Sequence, residues 1–214
     1  MKIKSSFSVL SLRIVRKIPF IGRLIYSANS YAANGDVSAL TSFTSLRNYQ
    51  KILYGIIPSV IITYLLVKLS PEMIQALNPG DFIRGSYADI LGFAIGIYAL
   101  FFVIPEDLIN LIEKNKEKLG FGPEIIASEM FYPLVVLVCI WAASFILAPF
   151  EDINSVVIFE VFIVIYGFTL ILELLGSIYI STISLTFLYK KKAKKEVLKS
   201  KKIKKINNSN NINR

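Results

Sequence analysis

A chain of 214 residues that is 54% hydrophobic, has no histidine and carries one cysteine is poor material for a soluble enzyme. Its composition removes an imidazole base, an internal disulfide and a zinc site of the Cys/His kind, and its short connections leave no stretch long enough for a separate catalytic domain. The net charge of +9, from 24 Lys and Arg against 15 Asp and Glu, points to anionic partners.

From the N-terminus, Phe7, Leu10, Ile14, Ile18, Ile21 and Ile25 recur at three- and four-residue spacings, with Arg13, Arg16, Lys17 and Arg23 on the other side. The pattern predicts an amphipathic helix lying along the inner leaflet, its bases among anionic headgroups, interrupted at Pro19. A soluble helix packed on a partner is the alternative. A secretory signal peptide is not expected, because Arg13, Arg16 and Lys17 cut the apolar stretch short. Asn34-Gly35-Asp36 reads as a turn and Val37–Gln50 as a polar connector.

Four long apolar runs follow, Ile52–Leu69, Ser86–Ile104, Met130–Pro149 and Val156–Leu188. Each can cross a hydrocarbon core of about 30 Å, which takes about 20 helical residues. The expected class is therefore all-α: a polytopic membrane protein with four transmembrane helices. Pro58 kinks the first span. The connection Ser70–Gly85 holds turn chemistry at Ser70-Pro71 and Asn78-Pro79-Gly80-Asp81, around a short helical piece near Glu72–Leu77. In the middle connection, Pro105-Glu106-Asp107 starts a surface helix that ends at Gly120-Phe121-Gly122-Pro123. At 1.5 Å per residue, Val156–Leu188 spans about 50 Å, so it tilts, kinks near Gly167 or Gly176, or projects into the cytoplasm; projection is preferred. A basic tail, Lys190–Lys205, and an asparagine-rich end, Asn207–Arg214, are expected to be disordered.

Basic residues near span ends resist translocation, which fixes orientation. The N-terminal segment carries Lys2, Lys4, Arg13, Arg16, Lys17, Arg23, Arg47 and Lys51, and the tail begins with Lys190, Lys191, Lys192, Lys194 and Lys195. The middle connection has Lys114, Lys116 and Lys118, whereas Ser70–Gly85 has only Arg84, and Phe150–Ser155 has Glu151 and Asp152 with no base. Both termini are thus placed in the cytoplasm, as four crossings require. The tail lysines, Lys190, Lys191 and Lys192 first, are assigned to anionic lipid of the inner leaflet; direct nucleic-acid binding is not expected, since no aromatic residues interleave them.

Candidate functional residues are few. Ala88, Gly92 and Gly96 recur at every fourth position and permit close helix contact, within the chain or between copies, and Ser177, Ser181 and Ser184 form a second small stripe. Intramembrane acids are costly, about 2.5–3.5 kcal/mol on insertion scales, and face a protein interior or a cavity. Asp89, Glu160 and Glu173 qualify, the first two near outer helix ends, where exposure to headgroups is the alternative, and Glu173 deep in the fourth run. Glu173 is either a protonated acid held within one bundle or, in an oligomer, part of an acidic ring favouring cations. Cys139 is read as packing. No phosphate-binding loop or metalloprotease motif occurs, and an intramembrane aspartyl pair would need a second aspartate at depth beside Asp89, so no catalysis, cofactor or metal is expected.

In layout, with its length, four apolar runs, both termini inside and no catalytic residues, the chain resembles the small four-pass subunits of bacterial antiphage systems, in particular the membrane subunit of the Kiwa system. The resemblance implies a non-enzymatic inner-membrane sensor or scaffold that oligomerises, detects phage attachment or injection, and controls a cytoplasmic protein partner; it carries over no functional residue. An ion-conducting or permeabilising protein using Glu173 and Pro58 is the second expectation, a small transporter subunit the third.

Overall fold

A computed structural model of the chain describes residues 15, 17–72, 74, 78–101, 106–119 and 122–212. Arg13 and Arg16 lie outside the described residues, and so do the side chains of Ser184, Lys191 and Lys192. The described residues are mostly helical and include no strand.

The first described helix, α1, spans Ile21–Ala32. It starts just after Pro19 and after Phe20, whose φ of 66° breaks the chain direction, so the expected interruption is present. Its buried side is small and polar, with Gly22, Ser27, Asn29 and Tyr31, while Ile18, Phe20 and Ile21 stay exposed. The helix packs on a later helix of the bundle, an association the amphipathic pattern alone did not announce. Asn34 and Gly35 both adopt left-handed backbone conformations (φ 52° and 72°) in the expected turn. A Cβ on Gly35 would also strike the Glu124 backbone at 2.7 Å, so the position requires glycine twice over. Two 3-10 turns, Val37–Leu40 and Leu46–Tyr49, complete the connector. The first is capped by Asp36, whose carboxylate accepts from the Ser38 backbone N–H at 2.9 Å and is held below its ordinary pKa by that bond.

Helix α2 spans Gln50–Leu69 with Pro58 inside it, α3 spans Pro79–Phe101, and the short α4 (Glu106–Lys114) and α5 (Lys116–Leu119) form the middle connection. Helix α6 runs Pro123–Leu147 with proline at its first position, where the missing N–H costs nothing. A 3-10 turn, Ala148–Phe150, leads into α7, Asn154–Ile212. Helices α2, α3, α6 and α7 run alternately up and down the bundle. One end gathers Asp81, Arg84, Glu151 and Glu160; the other gathers Lys51, Lys116 and the start of the basic tail. Helix α7 packs against α2, α3 and α6, and α3 against α6, so α2 is peripheral and touches the bundle mainly through α7.

Among the described residues, three helical stretches are long and apolar enough to cross a membrane: Leu46–Leu69, Pro123–Phe150 and Asn154–Ile183. Helix α3 is not among them. It begins seven residues before the expected second span and takes in Asp81 and Arg84, which lower its apolarity together with Asp89. The tail also differs from expectation, since α7 continues as helix through Ile212. No Gly or Pro follows Gly176, and Lys, Leu, Val and Glu sustain a helix.

Two core layers hold the bundle together. Tyr31, Ile83, Tyr87, Leu91, Tyr132, Leu137, Ile140, Ile163, Tyr166 and Leu170 fill one. Ala94, Ile112, Met130, Leu134 and Leu174 fill the other, toward the basic end. Ser59 and Thr63 of α2 bond back to their own helix around Pro58, and the Ser59 hydroxyl lies 3.3 Å from that of Thr169 on α7.

Candidate functional site

The polar centre of the bundle lies at its acidic end, and Arg84 organises it. Its Nη2 pairs with Asp81 Oδ1 at 2.6 Å, one helical turn away on α3. Its Nη1 pairs with Glu151 Oε1 at 2.7 Å and donates to the Ser144 carbonyl at 3.1 Å. The contact with Glu151 is a close ion pair that gives this carboxylate oxygen its compensating charge. Arg84 thus ties α3 to the last turns of α6 and to the turn that opens α7.

Behind this cluster, on the second turn of α7, sits Glu160. It is 1% exposed, and neither of its carboxyl oxygens has a hydrogen-bond partner among the described residues. Gly80 makes the space. A Cβ there would meet Glu151 Oε1, Glu160 Oε1 at 2.8 Å and Arg84 Nη1 at 3.1 Å, so two carboxylates and the guanidinium converge on one backbone position. Asp81 and Glu151 are reachable from water, at 66% and 27% side-chain exposure, while Glu160 lies one layer beneath them.

The depth of Asp89 differs from expectation. Helix α3 starts at Pro79, so Asp89 lies about 15 Å along it, near its middle rather than its outer end. It is exposed, on the same outward side as Ala88, Gly92 and Gly96. An added Cβ on Gly85, Gly92 or Gly96 would meet nothing within 4 Å, so this small-residue stripe faces away from the rest of the chain. Glu173 lies about 28 Å along α7 from Asn154, beside Leu174 of the layer that reaches Ile112 in the middle connection. It is half-buried, inside the apolar stretch Asn154–Ile183. Ser177 and Ser181 are buried on α7. Cys139 is half-buried and free. Lys17, Arg23 and Lys190 are exposed.

A second polar group secures the basic end. Lys51 Nζ pairs with Glu129 Oε1 at 2.9 Å, reaches Asn34 Oδ1 at 3.2 Å, and lies 4.1 Å from the centre of the Tyr31 ring. Tyr31 stacks on Tyr132 with centroids 4.5 Å apart, and the Tyr132 hydroxyl is 3.2 Å from that of Tyr166. Asn29 donates to the carbonyls of Ala39 and Ser42 and accepts from the Thr44 N–H and the Tyr49 hydroxyl. All the hydrogen-bonding atoms of one buried amide are used to pin α1 and its connector to the bundle. Below them, Lys116 pairs with Glu124 at 2.8 Å, which holds its ammonium pKa above the ordinary value.

Of these residues, Glu160 was anticipated from sequence as an intramembrane acid. Arg84, Glu151 and Gly80 were not singled out as partners, although Arg84 is the one base in its connection and stands among acids. Among the described residues, no group of three or more His, Cys, Asp or Glu side chains could hold a metal ion. No family model, curated protein or solved structure matches the chain, so the resemblance to the Kiwa membrane subunit stands on layout alone.

Proposed function

We propose that the chain is a four-span inner-membrane sensor and scaffold that oligomerises and passes a change at its outer, acidic end to a cytoplasmic protein. The observation that carries this reading is α7. One unbroken helix of 59 residues begins beside the Arg84 cluster, passes through the bundle touching α2, α3 and α6, and continues as a lysine-rich rod. At about 90 Å it is roughly three times the thickness of a hydrocarbon core. A rigid helix that binds at one end and protrudes at the other transmits displacement, which four bilayer-length helices with a loose tail would not do.

The charge pattern supports both ends in the cytoplasm, with α3 as the fourth crossing despite its charged first turns: Asp81 and Arg84 then lie at the outer headgroups, paired with each other. Lys17, Arg23 and Lys190 suit anionic headgroups of the inner leaflet. The outward stripe of Ala88, Gly92 and Gly96 suits a second copy. The reading assigns no reaction to the chain.

A photo-crosslinking amino acid at Lys194 of the full-length protein in intact cells tests the proposal. The expected result is capture of one defined soluble protein, recovered reciprocally from that protein's side and lost when Lys190–Lys205 is replaced by a Gly/Ser segment of equal length. Crosslinks to lipid alone would defeat it.

A further inference from the structure

We propose that Glu160 and Glu151 together form a site for one proton, taken from the water at the acidic end and held between Glu160 Oε1 and Glu151 Oε1. Both carboxyl oxygens of Glu160 lack a hydrogen-bond partner among the described residues, while Glu151 Oε1 beside them lies 2.7 Å from Arg84 Nη1. An ionised carboxylate with no donor in a buried position is strongly disfavoured, so compensation for Glu160 must be imported. The nearby guanidinium does not supply it, since Arg84 directs Nη1 and Nη2 at Glu151, Ser144 and Asp81. A proton on Glu160 removes its charge and makes it a donor. Its O–H then donates to the Glu151 oxygen that Arg84 pairs with, so the buried acid gains an acceptor in place of an uncompensated charge.

The groups around Glu160 favour a proton over a larger ion. Glu151 faces it from the turn, and Arg84 and Asp81 face it from α3. Helix α6 brings the Ser144 carbonyl, already occupied by Arg84. Helix α2 ends near this level with Lys68, whose ammonium lies over the Tyr64 ring of its own helix. A cation of metallic size would have to share the space with the Arg84 guanidinium, whereas a proton needs none. Gly80 leaves the passage from Glu151 to Glu160 open, because any side chain there would fill the point where the two carboxyls meet. Losing the proton at high pH sets two carboxylates against each other across Gly80 and drives the first turns of α7 from the turn at Glu151. The proposal deepens the relay reading by naming what the outer end takes up; its chemistry stands without a cytoplasmic partner.

Infrared difference spectroscopy of the full-length protein in lipid nanodiscs, with stepped pH and deuterium exchange, tests it. Wild type is expected to show a protonated-carboxyl C=O band at neutral pH that E160Q removes, that E151Q moves in frequency by changing its acceptor, and that the exposed control D152N leaves in place. Circular dichroism checks that each variant keeps its helix content, and the E151Q shift decides the matter alone if E160Q does not fold. A spectrum whose protonated-carboxyl bands all survive E160Q overturns the proposal, as does an ionised Glu160 with retained sodium or calcium. Neither result bears on the Lys194 crosslink, so the proton site and the relay can fail separately.

Discussion

The Tyr87 phenol of α3 rests directly on the backbone of Gly167 in α7, and its hydroxyl donates to the Val164 carbonyl at 3.0 Å. A Cβ on Gly167 would collide with the Tyr87 hydroxyl and lie 2.8 Å from its Cζ. The glycine is therefore a seat for an aromatic ring, and a kink is not needed to explain it. Gly167→Ala should overpack this contact and cost about 1–3 kcal/mol. Tyr87→Phe keeps the ring and removes only an interhelical hydrogen bond, worth about 0.6 kcal/mol on average in membranes. Thermal unfolding in nanodiscs should rank wild type above Y87F and Y87F above G167A; a G167A midpoint equal to wild type contradicts the packing.

Arg84 joins three elements through Asp81, Glu151 and Ser144. Arg84→Gln should destabilise more than Glu151→Gln, because it strands two carboxylates and a carbonyl rather than one cation that retains other acceptors. Partial exposure of Glu151 and Asp81 limits the pair's coupling to about 1 kcal/mol. A double-mutant cycle on unfolding free energy measures it, and additive single effects would deny the ion pair an energetic role.

The outward stripe on α3 makes a direct demand on assembly. With Cys139→Ser removing the native thiol, cysteines at Ala88, Gly92 or Gly96 should form disulfide-linked dimers in membranes, and Leu91→Cys, buried in the bundle, should not. Equal crosslinking at all four positions would mean random collision.

Membrane orientation is open to the same chemistry. In the Cys139→Ser background, a cysteine at Asp152 should react with an impermeant maleimide in intact cells, whereas one at Asn48 or Lys194 should react only after permeabilisation. Labelling of Asp152 and Lys194 from the same face would contradict an odd number of crossings between them.

At the basic end, Lys51→Met removes the partner of Glu129 and the cation above Tyr31. Both Lys51 and Glu129 are partly exposed, so the expected loss is about 1 kcal/mol. Limited proteolysis between α1 and α2 should accelerate in step; unchanged protection would show that Asn29 alone holds the connector.

Three of the four apolar runs, the turn at Asn34-Gly35 and the break after Pro19 were legible along the chain, because each depends on local hydropathy or backbone preference. The depth of Asp89 was not. Asp89 lies at mid-helix because α3 begins at Pro79, a matter of where the helix starts. Nor could hydropathy show that α1 would dock through Asn29 and Tyr31, since a small polar face reads as solvent-facing until a partner supplies its hydrogen bonds. The meeting of Gly80, Arg84, Glu151 and Glu160 belongs wholly to the tertiary structure. Residues from two helices and a turn converge there only once the bundle closes, and burial, which makes Glu160 costly without a proton, is a property of that closure.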